Sequence, residues 1–439
     1  MNYQKIINPM RVSLLFCLIF FFAGVNAQKK LTIDDAVKIA MKNNFDILVA
    51  GNDANIARVN NTPGNAGMLP TVALSGTGNY SLDNSYQKYP DGTSVNLPSL
   101  NSTTISAGAQ LSWTLFDGGK MFVTKNKLKE IESLGEIQFR DKVLQTLFNV
   151  IAAYYDVVRQ QQQLNSINET LKYNKDRVII SQTGFNAGSL IKTDLLQAKI
   201  DLNVIMESAI NQQFIIIEAK KNLKLLLGQS SDSIYAVSDS ILLNYSPDRK
   251  DLLQKLNSSN TSILSFQKQI DIANLTVKEA KSGYLPNFGF KAGYYFSQST
   301  NPSITVSQNR TTGPQVGGTL TIPLYSAGEN NRKVTVAKLE AESAKIDLQN
   351  IKLQMNTILE NTLTDFENQQ KLLQIENDNN ELAMENMKIS LERLRLGQTT
   401  SLEVHLAEED YVQSSTRLID FRYSLKLAET KLKQLISVL

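Results

Sequence analysis

The sequence predicts a mixed α and β membrane protein, in which four barrel strands per chain accompany long coiled-coil helical hairpins, the whole pattern laid down twice. Three observations predict that class. First, positions 209 apart match: Gly119 with Gly328, Gly188 with Gly397, and Leu223, Lys224 and Leu226 with Leu432, Lys433 and Leu435. Second, each half holds segments of about ten residues in which apolar and polar side chains alternate. Third, each half holds a proline-free run of 69 steps, Gly119 to Gly188 and Gly328 to Gly397. At about 1.5 Å per residue such a run makes roughly 100 Å of rod. Length alone, 439 residues, suggests about three domains. The repeat overrides that expectation, because one structural unit used twice points to a single interleaved body.

Residues 1–27 read as a secretory signal, with Lys5 and Arg11, an apolar stretch from Val12 to Val25, and Val25-Asn26-Ala27 as the cleavage site. An uncleaved anchor fits less well, since about 14 apolar residues fall short of the roughly 20 that span a bilayer. A lipoprotein signal at Cys17 is disfavoured by bulky Phe16 and by the apolar run beyond it. Removing the signal takes away two basic residues and lowers the formal charge from +3 to +1, so no bias toward nucleic acid or anionic lipid remains. It also removes the only cysteine, which excludes disulfides and thiolate metal sites. With no other long apolar run, any membrane span must be made of strands.

Leu31 to Asn44 reads as a short amphipathic helix capped by Thr32, with Asp34 and Asp35 in its first turn. Helical pattern resumes over Ile47 to Val59 and then meets Pro63-Gly64, which should kink or end it. The matching stretch Ile263 to Ser282 has no such break. After Leu69-Pro70 and Leu285-Pro286 the period switches to two. Ile105, Ala107, Ala109, Leu111, Trp113 and Leu115 form one apolar series. Phe288, Phe290, Ala292, Tyr294 and Phe296 form another, Val316, Gly318, Leu320 and Ile322 a third, and Val72, Leu74 and Tyr80 a weaker one. Alternation of this length marks a transmembrane barrel strand, and Tyr80, Trp113, Phe116, Tyr284 and Tyr325 cluster at the strand ends as an interfacial girdle does. A soluble sandwich with one buried face is the competing reading. The polar stretches Asp83 to Thr103 and Thr300 to Gly313 read as exposed loops between paired strands.

The helices that follow carry coiled-coil seams. Val334, Ala337, Ala341, Ala344, Leu348, Ile351, Met355 and Ile358 alternate spacings of three and four. Past each glycine a second seam runs Leu195, Ala198, Leu202, Ile205, Ala209, Gln212, Ile216, Ala219, Leu223, Leu226, and 209 further on Val404, Ala407, Tyr411, Ser414, Leu418, Phe421, Leu425, Ala428, Leu432, Leu435. Its small residues let helices approach closely. Gly188 and Gly397 supply the backbone freedom for a reversal between helices. The domains are therefore a first repeat over 28–228, with a β-hairpin at about 70–117 and a helical hairpin at about 119–228, a connecting segment over 229–250, and a second repeat over 251–439, with hairpins at about 286–325 and 328–437.

In the order and duplication of its junctions the chain resembles the TolC-like outer-membrane efflux proteins. The carriers are Ala66-Gly67-Met68-Leu69-Pro70 and Ala280-Lys281-Ser282-Gly283-Tyr284-Leu285-Pro286, then Leu115-Phe116-Asp117-Gly118-Gly119 and Leu324-Tyr325-Ser326-Ala327-Gly328. The tip segments Phe185 to Leu196 and Leu394 to Val404 complete the set, and the likeness covers residues 31–438. Each motif alone is weak; their order carries the resemblance.

The resemblance implies a homotrimer whose strands close a twelve-stranded barrel in outer-membrane lipid, continued through the periplasm by a helical tunnel. It implies a passive exit duct for efflux or type I secretion, small-molecule efflux favoured, with a membrane-fusion adaptor and an inner-membrane pump of RND or ABC type as partners. It places Phe185, Gly188, Ser189, Leu190, Leu394, Gly397, Gln398 and Thr399 at the periplasmic tip against the adaptor. Asp194 and Glu403, six positions past the tip glycines, would then form an acidic ring at the aperture. Ordinary solvated helix positions are the competing reading of both acids. The family's latch tyrosine and arginine are replaced by Leu394 and Thr399, and its next acid by Leu406. That points to a different fastening, through Arg393 or Arg395.

No enzyme chemistry is expected. His405, the sole histidine, can form neither a His-rich metal site nor a triad. Gly76 and Gly78 lie within a strand and make no dinucleotide loop, and no P-loop is present. No cofactor is implied. The Gln160 to Gln163 and Glu376 to Asn380 stretches read as wetted helix faces. Beside the channel stand a soluble periplasmic coiled-coil scaffold and an exported enzyme, the latter with no candidate site.

Overall fold

The computed structural model describes residues 30–229, 237, 240–301 and 306–439. The expected signal at 1–27 lies outside them, as do parts of the connecting segment and of the Thr300 to Gly313 loop. Proximity along the folded chain separates two units: residues up to 48, 142–256 and 356–439 in one, and 49–141 with 257–355 in the other.

The second unit carries a four-stranded antiparallel sheet in the order β1-β2-β3-β4. The strands are β1 (Thr71–Lys88), β2 (Ser94–Asp117), β3 (Asn287–Thr300) and β4 (Gln308–Thr321). Register puts the expected apolar series on one face, because paired residues of antiparallel strands point the same way. Val72 pairs with Leu111, Leu111 with Ala292 and Ala292 with Val316. Leu74, Ala109, Tyr294 and Pro314 form the next row. That face is bare: Val72, Leu74, Val316 and Leu320 are all more than 60 % exposed. The other face is polar, with Tyr295 donating to Gln110 Oε1 at 2.9 Å and Ser106 meeting Ser297 at 3.0 Å. Among the described residues β1 and β4 pair on one side only, so both edges of the sheet are free.

One expectation needs correction. Asp83 to Thr103 is not a loop: the ladder continues past a register shift between Asp83 and Ser85 to Lys88 opposite Ser94. Likewise β4 begins at Gln308, inside the expected Thr300 to Gly313 loop. Polar composition suggested loop, but backbone pairing is indifferent to it where both faces meet water.

Around the sheet the same unit holds the end of α2 (Phe45–Asn60), α6 (Thr261–Ser282) and the first parts of α3 (Lys120–Asn186) and α7 (Glu329–Arg395). Helix α2 stops before Pro63, as its sequence requires. Lys268 meets Glu130 at 2.6 Å, and Lys127 and Thr124 both engage Glu279.

The first unit holds α1 (Ile33–Asn43), α4 (Lys192–Leu226), α5 (Arg249–Ser259), α8 (Ser401–Leu435) and the remainders of α3 and α7. Thr32 caps α1 by accepting from the Asp35 amide at 3.1 Å. The repeat holds to the residue: α3 and α7 have 67 residues each and α4 and α8 have 35, with every boundary offset by 209. The α4 and α8 seams point inward as expected. Ala198, Ala209, Ile216 and Leu223 are buried on α4, and Val404, Ala407, Leu425 and Leu432 on α8. Gln212, the polar seam position, is buried and donates to Gln160 at 2.8 Å. The α7 seam departs at its end. Leu359 (1 % exposed), Leu363 and Phe366 are buried while Ile358 is 36 % exposed. A second step of four after Met355 shifts the buried stripe by one residue, a stutter in the heptad.

Candidate functional site

The two turns that join α3 to α4 and α7 to α8 are built alike. Gly188 and Gly397 adopt φ +76° and +68°. Behind them the amide of Ser189 donates to Gly184 O at 2.9 Å and that of Gly188 to Phe185 O at 3.1 Å. In the second copy Gln398 donates to Arg393 O at 2.8 Å and Gly397 to Leu394 O at 3.0 Å. These paired bonds are the Schellman closure of a helix, and they satisfy carbonyls that the helix end leaves free. The next helices start differently. Thr400 caps α8 by accepting from the Glu403 amide at 3.3 Å, whereas Ile191 gives α4 no side-chain cap.

The expected tip residues fall into two groups. Phe185, Gly188, Ser189, Gly397 and Gln398 are exposed, with Leu190 and Thr399 half-buried. Leu394 is only 2 % exposed and packs with Leu391, Val404, Tyr173, Ile180 and Leu190. It fills the tip from beneath and lines the floor of the groove between the turns. A groove of about 370 Å³ runs between the turns, bordered by Ile179, Thr183, Ser189, Leu190 and Arg395.

The acids differ as well. Glu403 is held by Arg393 Nη1 at 2.8 Å and by the Thr399 hydroxyl. Those contacts, the Thr399 hydrogen bond first, keep its carboxyl below the ordinary value despite some desolvation. Arg393 also reaches Gln398 O at 3.3 Å. Arg395 turns back to Glu392 on its own helix at 3.0 Å. Asp194 has no ion pair among the described residues. Of the two arginines suggested as a fastening, Arg393 is the one that spans a turn.

The aromatic set divides too. Tyr80 lies in β1 and Trp113 and Phe116 in β2, all exposed, while Tyr284 precedes β3 and Tyr325 follows β4. Trp113 donates its indole N–H to Met68 O at 2.9 Å.

Sequence reasoning missed a second polar centre. Arg177, fully buried on α3, bonds Asp201 of α4 and Glu408 of α8, the latter at 2.5 Å. His405 Nδ1, on the sole histidine, lies 3.3 Å from Asp201 Oδ2. The only hint in the sequence is that Asp201 and Glu408 flank seam residues Leu202 and Ala407. Charges there are ordinary on coiled coils, which is why the hint is weak.

A sheet with free edges and a bare apolar face, in one chain with twin helical hairpins, is the architecture of the outer-membrane channel proteins. The chain belongs to the outer membrane efflux protein family, whose sequence profile matches residues 36–229 and 252–438. It is 22% identical over 330 residues to the outer membrane efflux protein BepC of Brucella suis biovar 1 (strain 1330), spanning 74% of this chain and 70% of that one. It is 20% identical over 436 residues to the proteases secretion protein PrtF of Dickeya chrysanthemi, spanning 94% and 89%. The Campylobacter jejuni CmeC outer membrane channel shares the fold with a TM-score of 0.75 at 18% identity, over 92% of this chain and 85% of that one.

Proposed function

We propose that three copies of this chain close a twelve-stranded barrel in the outer membrane and form a passive exit duct for a tripartite system. The carrying observation is the sheet: its two free edges are open to pairing with strands of other copies, and its apolar face is left exposed. A soluble sandwich would bury that face against a second sheet, and among the described residues there is one sheet only. A second feature supports self-association. Leu196, Ile200, Ile210, Phe214 and Ile217 form an exposed apolar stripe on α4, opposite its seam, that a neighbouring copy would cover.

In this reading the groove at the turns receives a periplasmic adaptor through Phe185, Gly188, Ser189, Leu190, Gly397, Gln398 and Thr399. Asp194 and Glu403 line the aperture, and an inner-membrane pump supplies the energy. Tyr80, Trp113, Phe116, Tyr284 and Tyr325 sit at the lipid interfaces. Small-molecule efflux is the favoured cargo. Protein secretion stands beside it, because the relative spanning most of this chain carries a secretion name. The test is twofold. Sarkosyl-insoluble, heat-modifiable trimers with bilayer conductance are expected, and a freely soluble monomer refutes the duct. Crosslinked co-purification of the adaptor and its pump then distinguishes the two cargoes.

A further inference from the structure

We propose that the cavity between α4 and α8, floored by α3, is a binding site for a small organic ammonium ion. The cavity has a volume of about 360 Å³ and includes Asn174, Asp201, Val204, His405, Glu408 and Val412 in its wall. This volume lies within the range of small-molecule pockets. It lies apart from the turns and does not depend on the duct reading.

The chemistry of the wall selects the guest. Arg177 gives one nitrogen to Asp201 and one to Glu408, so a single guanidinium faces two carboxylates. Glu409 adds a third acid to the lining. Glu408 is 5 % exposed and Asn174 1 % exposed, yet Glu408 Oε1 and Asn174 Oδ1 receive no hydrogen bond from the protein. Buried acceptors without donors are costly, and both belong to residues that line the cavity. The site thus has a surplus of acceptors and of negative charge. A guest that donates N–H bonds and carries a positive charge satisfies both.

A bare metal ion fits less well. Among the described residues no three His, Cys, Asp or Glu side chains converge to hold one. Val204 and Val412 instead offer apolar surface to a short hydrocarbon. The charged groups bordering Glu408 are Arg177 from α3, Asp201 from α4, and His405 and Glu409 on its own helix. Burial, with the Asp201 charge adding and Arg177 opposing, pushes the Glu408 carboxyl up to about 7. A cationic guest favours its ionised form, so binding should strengthen as pH rises through that value.

Phenethylammonium is titrated against the detergent-solubilised full chain by saturation-transfer NMR, with neutral 2-phenylethanol as comparator. Two variants probe the site: E408Q removes the charge, and V412W fills the cavity while leaving the charged groups intact. Saturable ammonium binding is expected, weakened about tenfold or more by each variant and for the neutral alcohol, the loss of one charged buried hydrogen bond. Absent saturation in the wild type, equal binding by both variants, or equal binding of the alcohol overturns the proposal. Displacement of the ammonium by Mn²⁺ at comparable concentration overturns it in favour of a metal.

Discussion

Gly188 and Gly397, 209 residues apart, close α3 and α7 in the same left-handed conformation, with φ of +76° and +68°. No atom lies within 4 Å of where a Cβ would stand at either position. A side chain there costs backbone strain alone. Gly188→Ala and Gly397→Ala should each destabilise by about 1–2 kcal/mol, and the Asn variants by less, since Asn tolerates this region. Urea unfolding followed by helical circular dichroism checks this; an unchanged midpoint in both Ala variants would remove the conformational demand.

Such turns were legible because glycine leaves a mark in sequence, as did the switch to period two and the duplicated junctions. Pairing in the polar ends of β1 and β2 was not. Ser85 to Lys88 pair with Ser94 to Leu97, but Val95 and Leu97 are the only aliphatic residues among them and stand opposite Gln87 and Ser85, too short a series to read as a strand. The α7 seam was readable to Met355 and then slipped by one residue, because both Ile358 and Leu359 are apolar and only packing chooses between them. The Arg177 centre joins residues 24 and 231 positions apart. It has no counterpart in the second copy, where position 386 is Asn. A reading built on the repeat could not find it.

The Arg393 and Glu403 pair is half exposed, at 44% and 48% of its side-chain surface. Pairs of that kind contribute little, because water and salt screen them. If the turns gate the duct, Arg393→Ala should raise the open fraction in planar bilayers by no more than about fivefold. Asp194→Ala breaks no ion pair; it should alter cation selectivity while leaving the open fraction alone. A larger gating effect from Asp194 than from Arg393 would reverse these roles.

Arg177 presents the opposite case, since its guanidinium is wholly buried between two carboxylates. Arg177→Met leaves both acids buried without a counter-charge, which should cost about 3–5 kcal/mol. The triple variant Arg177→Met, Asp201→Leu, Glu408→Met removes the guanidinium and both carboxylates it bonds, and should recover most of that loss. Denaturant unfolding of both variants measures the difference. A triple variant no more stable than the single one would mean the ion network itself, not the stranded charge, holds α3, α4 and α8 together.

Protonation of Glu408 gives stability a pH dependence with an unusual sign for a carboxylate. Burial lifts its pKa from an ordinary 4.5 to about 7. Between those values the folded chain keeps a proton that the unfolded chain has released. The favourable contribution is therefore complete below the unfolded value and fades as pH rises through about 7, by roughly 3 kcal/mol at most. Glu403 works in the other sense, because Thr399 and Arg393 lower its pKa. Its contribution is present above the ordinary value and lost as pH falls. Exposure keeps the Glu403 effect small, so Glu408 should dominate the slope near neutrality. Urea midpoints measured at pH about 5 and about 8.5 should show the wild type weakening across the interval and Glu408→Gln weakening much less. Parallel slopes in the two proteins would show that Glu408 is already ionised in the folded chain, with Arg177 compensating the cost of its burial.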